Sequence, residues 1–180
     1  MRIIGGLWKR TPLPVADRPG LRPTPDRVRE TLFNWLGQDL SGWHCVDAFA
    51  GTGVLGFEAA SRGAAAVVLV ERDPLLIESL KKLQIQLKAH TLSVRRGDAL
   101  QALQMLSAGS QHLIFLDPPF DSGLQQVALQ SALQALAQTG QIYLEAGSRW
   151  SDDALEPQGL QVYRYLKAGA VHAHLLRRVA

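Results

Sequence analysis

Residues 47–56 read DAFAGTGVLG, and what flanks them decides the fold. Just before, Cys45-Val46-Asp47-Ala48 is a short run suited to a buried strand. Just after, residues 53–62 have helical composition and Gly63 stops them. The loop between holds Gly51-Thr52-Gly53-Val54-Leu55-Gly56, a G-x-G-x-x-G spacing. Residues 66–71 form an apolar, β-branched strand ending in Glu71, twenty positions after Gly51. That is the dinucleotide fingerprint, in which the acid holds a ribose hydroxyl. The competing reading is a tight strand–helix turn with a surface acid. The strand, the helix and the acid together favour an adenosine-containing cofactor.

Outward from this unit the alternation continues. Residues 74–88 read as an amphipathic helix with Leu76, Ile77, Leu80, Leu83 and Leu87 inward. A strand at 92–94, a helix at 98–106, a strand at 113–116, a helix at 124–137 and a strand at 141–145 follow. Residues 160–166 and 171–179, separated by Gly169, read as a terminal hairpin. Apolar strands alternating with helices imply a mostly parallel sheet with helices on both faces. Such sheets bind ligands beyond the carboxyl ends of their strands. Asp47, Glu71, Asp98 and Asp117 all fall at or just past such ends, which core packing does not explain.

The acids also select the cofactor. A pyrophosphate would be repelled by Asp47, four residues before Gly51, whereas a cation would be attracted. S-adenosylmethionine carries a sulfonium and an ammonium and no phosphate. Asp98, with Ala99 beside it, either accepts from the adenine amino group or caps the following helix, and both roles can hold together.

Residues 113–120 read LIFLDPPF. Two prolines fix their own φ, donate no backbone hydrogen bond and extend the residue before each of them. The strand therefore ends in a rigid corner. Asp117 can accept one N–H of a planar amine and the Pro118 carbonyl another, while Phe120 stacks on a base. Such a corner localises the lone pair of a weakly nucleophilic exocyclic amine and aims it at a methyl donor. The plain alternative is a strand-ending turn with a buried Phe.

The chain has 180 residues, 47% apolar and 19% charged, enough for one domain with a core. Net charge is +3, permissive of a polyanionic partner. Basic residues crowd the start: Arg2, Lys9, Arg10, Arg18, Arg22, Arg27 and Arg29. Residues 1–23, rich in Pro and Gly, read as a small β-hairpin-like arm, and 24–180 as the main domain. Thr24-Pro25 opens a helix, with Thr as cap and Pro at its first position. Arg27 and Arg29 read as a solvated helix face or as an RNA contact. The single cysteine, Cys45, excludes an intrachain disulfide and fits a reducing compartment. Residues 1–12 lack the apolar stretch of a signal peptide, and no apolar run approaches a membrane span. A cytoplasmic location, with no membrane partner, is expected. The five histidines show no metal-ligand spacing, and no metal is expected.

Asp117-Pro118-Pro119-Phe120 resembles the [DNS]-P-P-[YFW] motif of amino-methyltransferases. Together with MRIIGG at the start, RPTPDRVRETLFNWL at 22–36, DAFAGTGVLGFEAASRGA at 47–64 and VERD at 70–73, it resembles the RsmD family, bacterial 16S rRNA guanine-N2 methyltransferases. The resemblance implies a class I, Rossmann-like α/β methyltransferase fold with a seven-stranded sheet. It implies methyl transfer from S-adenosylmethionine to N2 of guanine 966 of 16S rRNA, within an assembled small ribosomal subunit; a monomer is expected. Asp117, Pro118, Pro119 and Phe120 would hold the target amine. Asp47, Gly51 and Gly53 would line the methionine side, Glu71 the ribose, and Asp98 and Ala99 the adenine. Arg22 and Thr24 would lie near the methionine carboxylate or the RNA. The rival readings are a nicotinamide oxidoreductase, an amino-methyltransferase acting on another RNA or DNA base, and a non-catalytic RNA-binding assembly factor.

Overall fold

The computed structural model describes residues 1–14 and 24–179. In chain order the main elements are α1 (Asp26–Leu36), β1 (His44–Asp47), α2 (Val54–Ser61), β2 (Ala66–Glu71), α3 (Pro74–Gln86), β3 (Leu92–Arg96), α4 (Ala99–Gln104), β4 (Gln111–Leu116), α5 (Leu124–Leu133), β5 (Leu136–Ala146), α6 (Asp152–Leu155), β6 (Leu160–Ala168) and β7 (Val171–Arg178). The seven strands make one sheet in the order β3-β2-β1-β4-β5-β7-β6. The first five run parallel, and β7 enters antiparallel between β5 and β6. Strand order reverses between β1 and β4, which places the ligand crevice of an open α/β sheet there. The expected Rossmann-like architecture is therefore present.

Two apolar layers sandwich the sheet. Cys45, Val67, Leu69, Leu113, Phe115 and Tyr143 face α1, α2 and α3. Val46, Ile114, Leu116, Ile142 and Leu144 face α4, α5 and α6. This alternation is the period of two that strands impose on neighbouring side chains. Asp47 shares parity with Cys45, so it lies on the α2 face.

The helix expected at 124–137 ends at Leu133. Helix-forming residues continue to Ala137, yet tertiary hydrogen bonds override their propensity. The Ala135 carbonyl accepts from Gln111 N at 2.8 Å, and the Gln134 carbonyl from Gly109 N at 2.9 Å. The chain then enters β5 at Leu136, and the register jumps from Gln111↔Leu136 to Leu113↔Gln141. Gly140 sits in that bulge, where a Cβ would come within 2.8 Å of the Gln111 carbonyl.

The described part of the arm is hairpin-like, with one antiparallel bridge, Arg2↔Pro12. It does not project. Ile3 is fully buried, and the amides of Ile4 and Gly5 donate to the carboxylate of Glu58 on α2. Leu7 N donates to the Ser61 carbonyl at 2.7 Å. Residues 15–23, the rest of the expected arm, lie outside the described residues.

Arg29 is not a solvated residue. Its side chain is fully buried, with Nη1 on Glu58 Oε1 at 3.2 Å and on the Arg2 carbonyl at 2.8 Å, and Nη2 on Asp26. The expectation of RNA contact by Arg29 is therefore corrected. The helix turns this guanidinium inward because a buried carboxylate awaits it, and an unpaired buried charge would be costly. Arg27, two residues earlier, is exposed.

Candidate active site

The glycine loop follows β1 directly. Gly51 and Gly53 take φ of 53° and 77°, a region natural to glycine. Gly53 precedes the first turn of α2, and a Cβ there would come within 2.4 Å of Leu80 Cδ2. On α2 itself, a Cβ on Gly56 would fall 2.0 Å from Leu69 Cδ2. The third glycine thus lets the helix lie close on β2.

Glu71 ties that loop to the end of β2. Its Oε2 accepts from Gly51 N at 2.9 Å, and its Oε1 from Arg72 N at 2.8 Å and Asp73 N at 2.9 Å. A carboxylate has about four lone-pair sites, so one on Oε2 remains for a ribose hydroxyl. Asp98 caps α4, accepting from Gln101 N at 3.0 Å, with Ala99 as the first helical residue. The cap reading of Asp98 is thus realised, and its exposed carboxylate keeps acceptor capacity.

Asp47 is buried, and its Oδ2 accepts from Gly56 N at 3.2 Å. Burial pushes its carboxyl up to about 7 against the pull of that hydrogen bond, and Glu71 and Glu145 push the same way. Asp117 follows the last residue of β4. Burial, then Glu145, then Asp47 hold its carboxyl well above the ordinary range. Among the described residues no donor reaches the Asp117 carboxylate or the Pro118 carbonyl. Pro118 is buried, Pro119 exposed and Phe120 half-buried. The Pro119 carbonyl is used locally, by Ser122 N at 3.0 Å, and the Phe120 carbonyl accepts from Gln125 Nε2 at 3.1 Å. The corner is thus braced on one side and leaves the acceptors of Asp117 and Pro118 open. Gly147 lies against Phe120, at 3.5 Å from where its Cβ would be.

Two participants escaped the sequence reading. Glu145 on β5 is 3% exposed, and its Oε1 accepts from both Thr24 Oγ1 and Tyr143 Oη at 2.7 Å. Burial raises its carboxyl, and those two bonds lower it. The register Leu116↔Leu144 puts Asp117 beside Glu145 one step on. Thr24 was expected to cap α1. Instead Pro25 holds the cap position without a side-chain bond, and the Thr24 hydroxyl crosses to Glu145. A buried carboxyl gains more from that hydroxyl than a first-turn amide that water can satisfy. Only the same-face spacing of Tyr143 and Glu145 along a strand could have flagged the pair. Arg22 lies outside the described residues.

Asp47, Asp117 and Glu145 therefore share one crevice at the strand-order reversal. The ion pairs among the described residues involve Asp26, Arg29, Glu58 and Arg62, and none touches these three acids. Such a set suits a ligand bringing positive charge, which the sulfonium and ammonium of S-adenosylmethionine would supply. It does not suit a pyrophosphate. No group of three or more potential metal ligands occurs among the described residues. No helix among them is long and apolar enough to cross a membrane.

Comparison with known proteins agrees with this geometry. Residues 1–177 match the family described as Conserved hypothetical protein 95. The chain is 41% identical over 183 aligned positions to ribosomal RNA small subunit methyltransferase D of Escherichia coli K12, covering 100% of this chain and 91% of the relative. It is 44% identical to the protein of that name from Haemophilus influenzae, over 72% of this chain and 68% of the relative. A solved Escherichia coli structure described as a methyltransferase superposes with a TM-score of 0.85 at 39% identity, covering 100% of this chain and 98% of that one.

Proposed function

Because the chain belongs to the Conserved hypothetical protein 95 family, the RsmD family of small-subunit rRNA methyltransferases, we propose that it transfers a methyl group from S-adenosylmethionine to a base amine of 16S rRNA. The target is the N2 amine of a guanine, guanine 966, presented by the assembled small ribosomal subunit. The observation that carries this reading is the open corner Asp117–Pro118 beside the cation-demanding crevice of Asp47 and Glu145.

The bound cofactor supplies an electrophilic methyl on sulfur. Asp47 and the Gly51–Gly53 loop would hold its methionine side, Glu71 its ribose, and Asp98 with Ala99 its adenine. Thr24 acts through Glu145. Asp117 and the Pro118 carbonyl each accept an N–H of the target amine, so its lone pair points away from both and towards the methyl. Pro119 fixes the corner, and Phe120 stacks on the unstacked base. The N2 lone pair would take that methyl, leaving the S–C bonding pair on sulfur. The surplus N2 proton then leaves to Asp117 or to water.

Lys9 and Arg10 at the arm's tip and Arg27 on α1 are exposed, and they contact RNA phosphates from the side of the arm. The protein works as a cytoplasmic monomer on this reading.

The test is radiolabelled methyl transfer to small subunits from cells lacking the modification, to free 16S rRNA and to duplex DNA, followed by nucleoside analysis. N2-methylguanosine on the subunits, absent with Asp117→Ala, is the expected result. Label on another nucleoside or on DNA overturns the substrate. Cofactor binding without any transfer overturns the enzymatic reading in favour of an assembly factor.

A further inference from the structure

Glu145 is built as more than a brace. Both hydroxyls that reach it, from Thr24 and Tyr143, land on Oε1. Oε2 accepts nothing among the described residues. Nor is it, among the described residues, one of the atoms sealed from solvent without a partner. The carboxylate is therefore fixed by one oxygen and keeps the other open to the crevice. It stands one strand over from Asp117, both one step past the paired residues Leu116 and Leu144, and near enough for its charge to raise the Asp117 carboxyl. Two carboxyl groups thus meet side by side with no cation between them among the described residues.

A base that satisfies two neighbouring acceptors must present two neighbouring donors. Guanine does so: its N1–H adjoins its N2 amine. Adenine and cytosine each place a ring acceptor next to the exocyclic amine. We propose that Glu145 Oε2 accepts the N1–H of the target guanine while Asp117 holds an N2–H, so that Glu145 restricts the reaction to guanine. This rests on the amine-methylation reading above and adds the residue that selects the base. A base with a lone pair at N1 would face the carboxylate with repulsion and leave it unpaired. Burial raises the Glu145 carboxyl and the two hydroxyls on Oε1 pull it back, so the ionised form that this role requires is favoured at alkaline pH.

The test uses small subunits reconstituted from ligated 16S rRNA carrying guanine or 2-aminopurine at the target position, at pH 8. 2-Aminopurine keeps the exocyclic amine but has a lone pair at N1. The wild type is expected to prefer guanine by about 100-fold in kcat/KM. Glu145→Gln, whose amide can donate to that lone pair, should narrow the preference to under about tenfold. Tyr143→Phe removes a bond to Oε1 but keeps the carboxylate, and should retain the wild-type ratio. A Glu145→Gln enzyme that slows equally on both bases overturns the proposal and leaves Glu145 structural. Should that variant not fold, the wild type decides alone: comparable rates on the two bases overturn the proposal, and a 100-fold preference supports it. A wild type inactive on guanine overturns the methylation reading instead.

Discussion

Arg29 of α1 and Glu58 of α2 meet at 3.2 Å with both side chains wholly buried. Glu58 also pairs with Arg62 at 3.3 Å and takes the amides of Ile4 and Gly5, so one carboxylate joins two helices and the arm. Removing one partner of a buried pair strands the other charge. Glu58→Ala should destabilise the protein by about 3–5 kcal/mol, read from urea unfolding. An unfolding free energy within 1 kcal/mol of wild type would show that the network carries no such role.

Asp117 has the opposite character. No cation or donor among the described residues offsets the desolvation of this half-buried carboxyl, so it is held there at a cost in stability. Asp117→Ala should lower kcat by about a hundredfold or more, since no side-chain acceptor then holds the target amine. The same variant should unfold at a higher urea concentration at pH 8, by about 1–2 kcal/mol. Loss of activity together with loss of stability would mean that Asp117 serves the fold.

The crevice acids set the pH response. Folding raises Asp47 from an ordinary carboxyl to about 7, so between pH 4 and 7 the native state keeps a proton that the unfolded chain has released. Stability of the ligand-free protein therefore falls as pH rises through that window, by at most about 1.4 kcal/mol per pH unit for each such group. Asp117 and Glu145 act in the same direction. A cationic cofactor prefers the ionised acids. Its affinity should therefore weaken below pH 7, by up to about tenfold per unit for one group. Thermal unfolding and titration calorimetry from pH 5 to 8 check both slopes, which must have opposite signs.

At Gly56 the contact is steric. A methyl there would meet Leu69 Cδ2 at 2.0 Å, and the surrounding layer is closely packed. Gly56→Ala should cost about 1–3 kcal/mol. Adding Leu69→Val, which withdraws the clashing methyl, should recover part of that loss in a double-mutant cycle. Additive losses would show that the two positions do not touch.

Much of this was legible in sequence because it is local. The run at 66–71 becomes β2 with the same bounds, and the spacing from Gly51 to Glu71 becomes a 2.9 Å hydrogen bond. What sequence hid depends on partners far along the chain. Helical periodicity assigns Arg29 to a polar face, and nothing nearby announces the carboxylate at 58. Thr24 matches a cap by its neighbours, yet bonds a residue 121 positions away. The end of α5 is set by amides of Gly109 and Gln111, so its own helix-forming residues could not reveal it. Glu145 looked like one more strand residue until β4 and β5 came into register.

The last strand in sequence, β7, lies inside the sheet, between β5 and β6. During synthesis β5 is therefore an open edge until residues 171–178 have left the ribosome. Its unpaired backbone is a template for strands of other chains over that interval. The strand that carries Glu145 is thus the last of the parallel set to gain both neighbours. A nascent chain holding every crevice acid would still have an unfinished crevice, and truncation ahead of β7 would convert β5 into an aggregation edge.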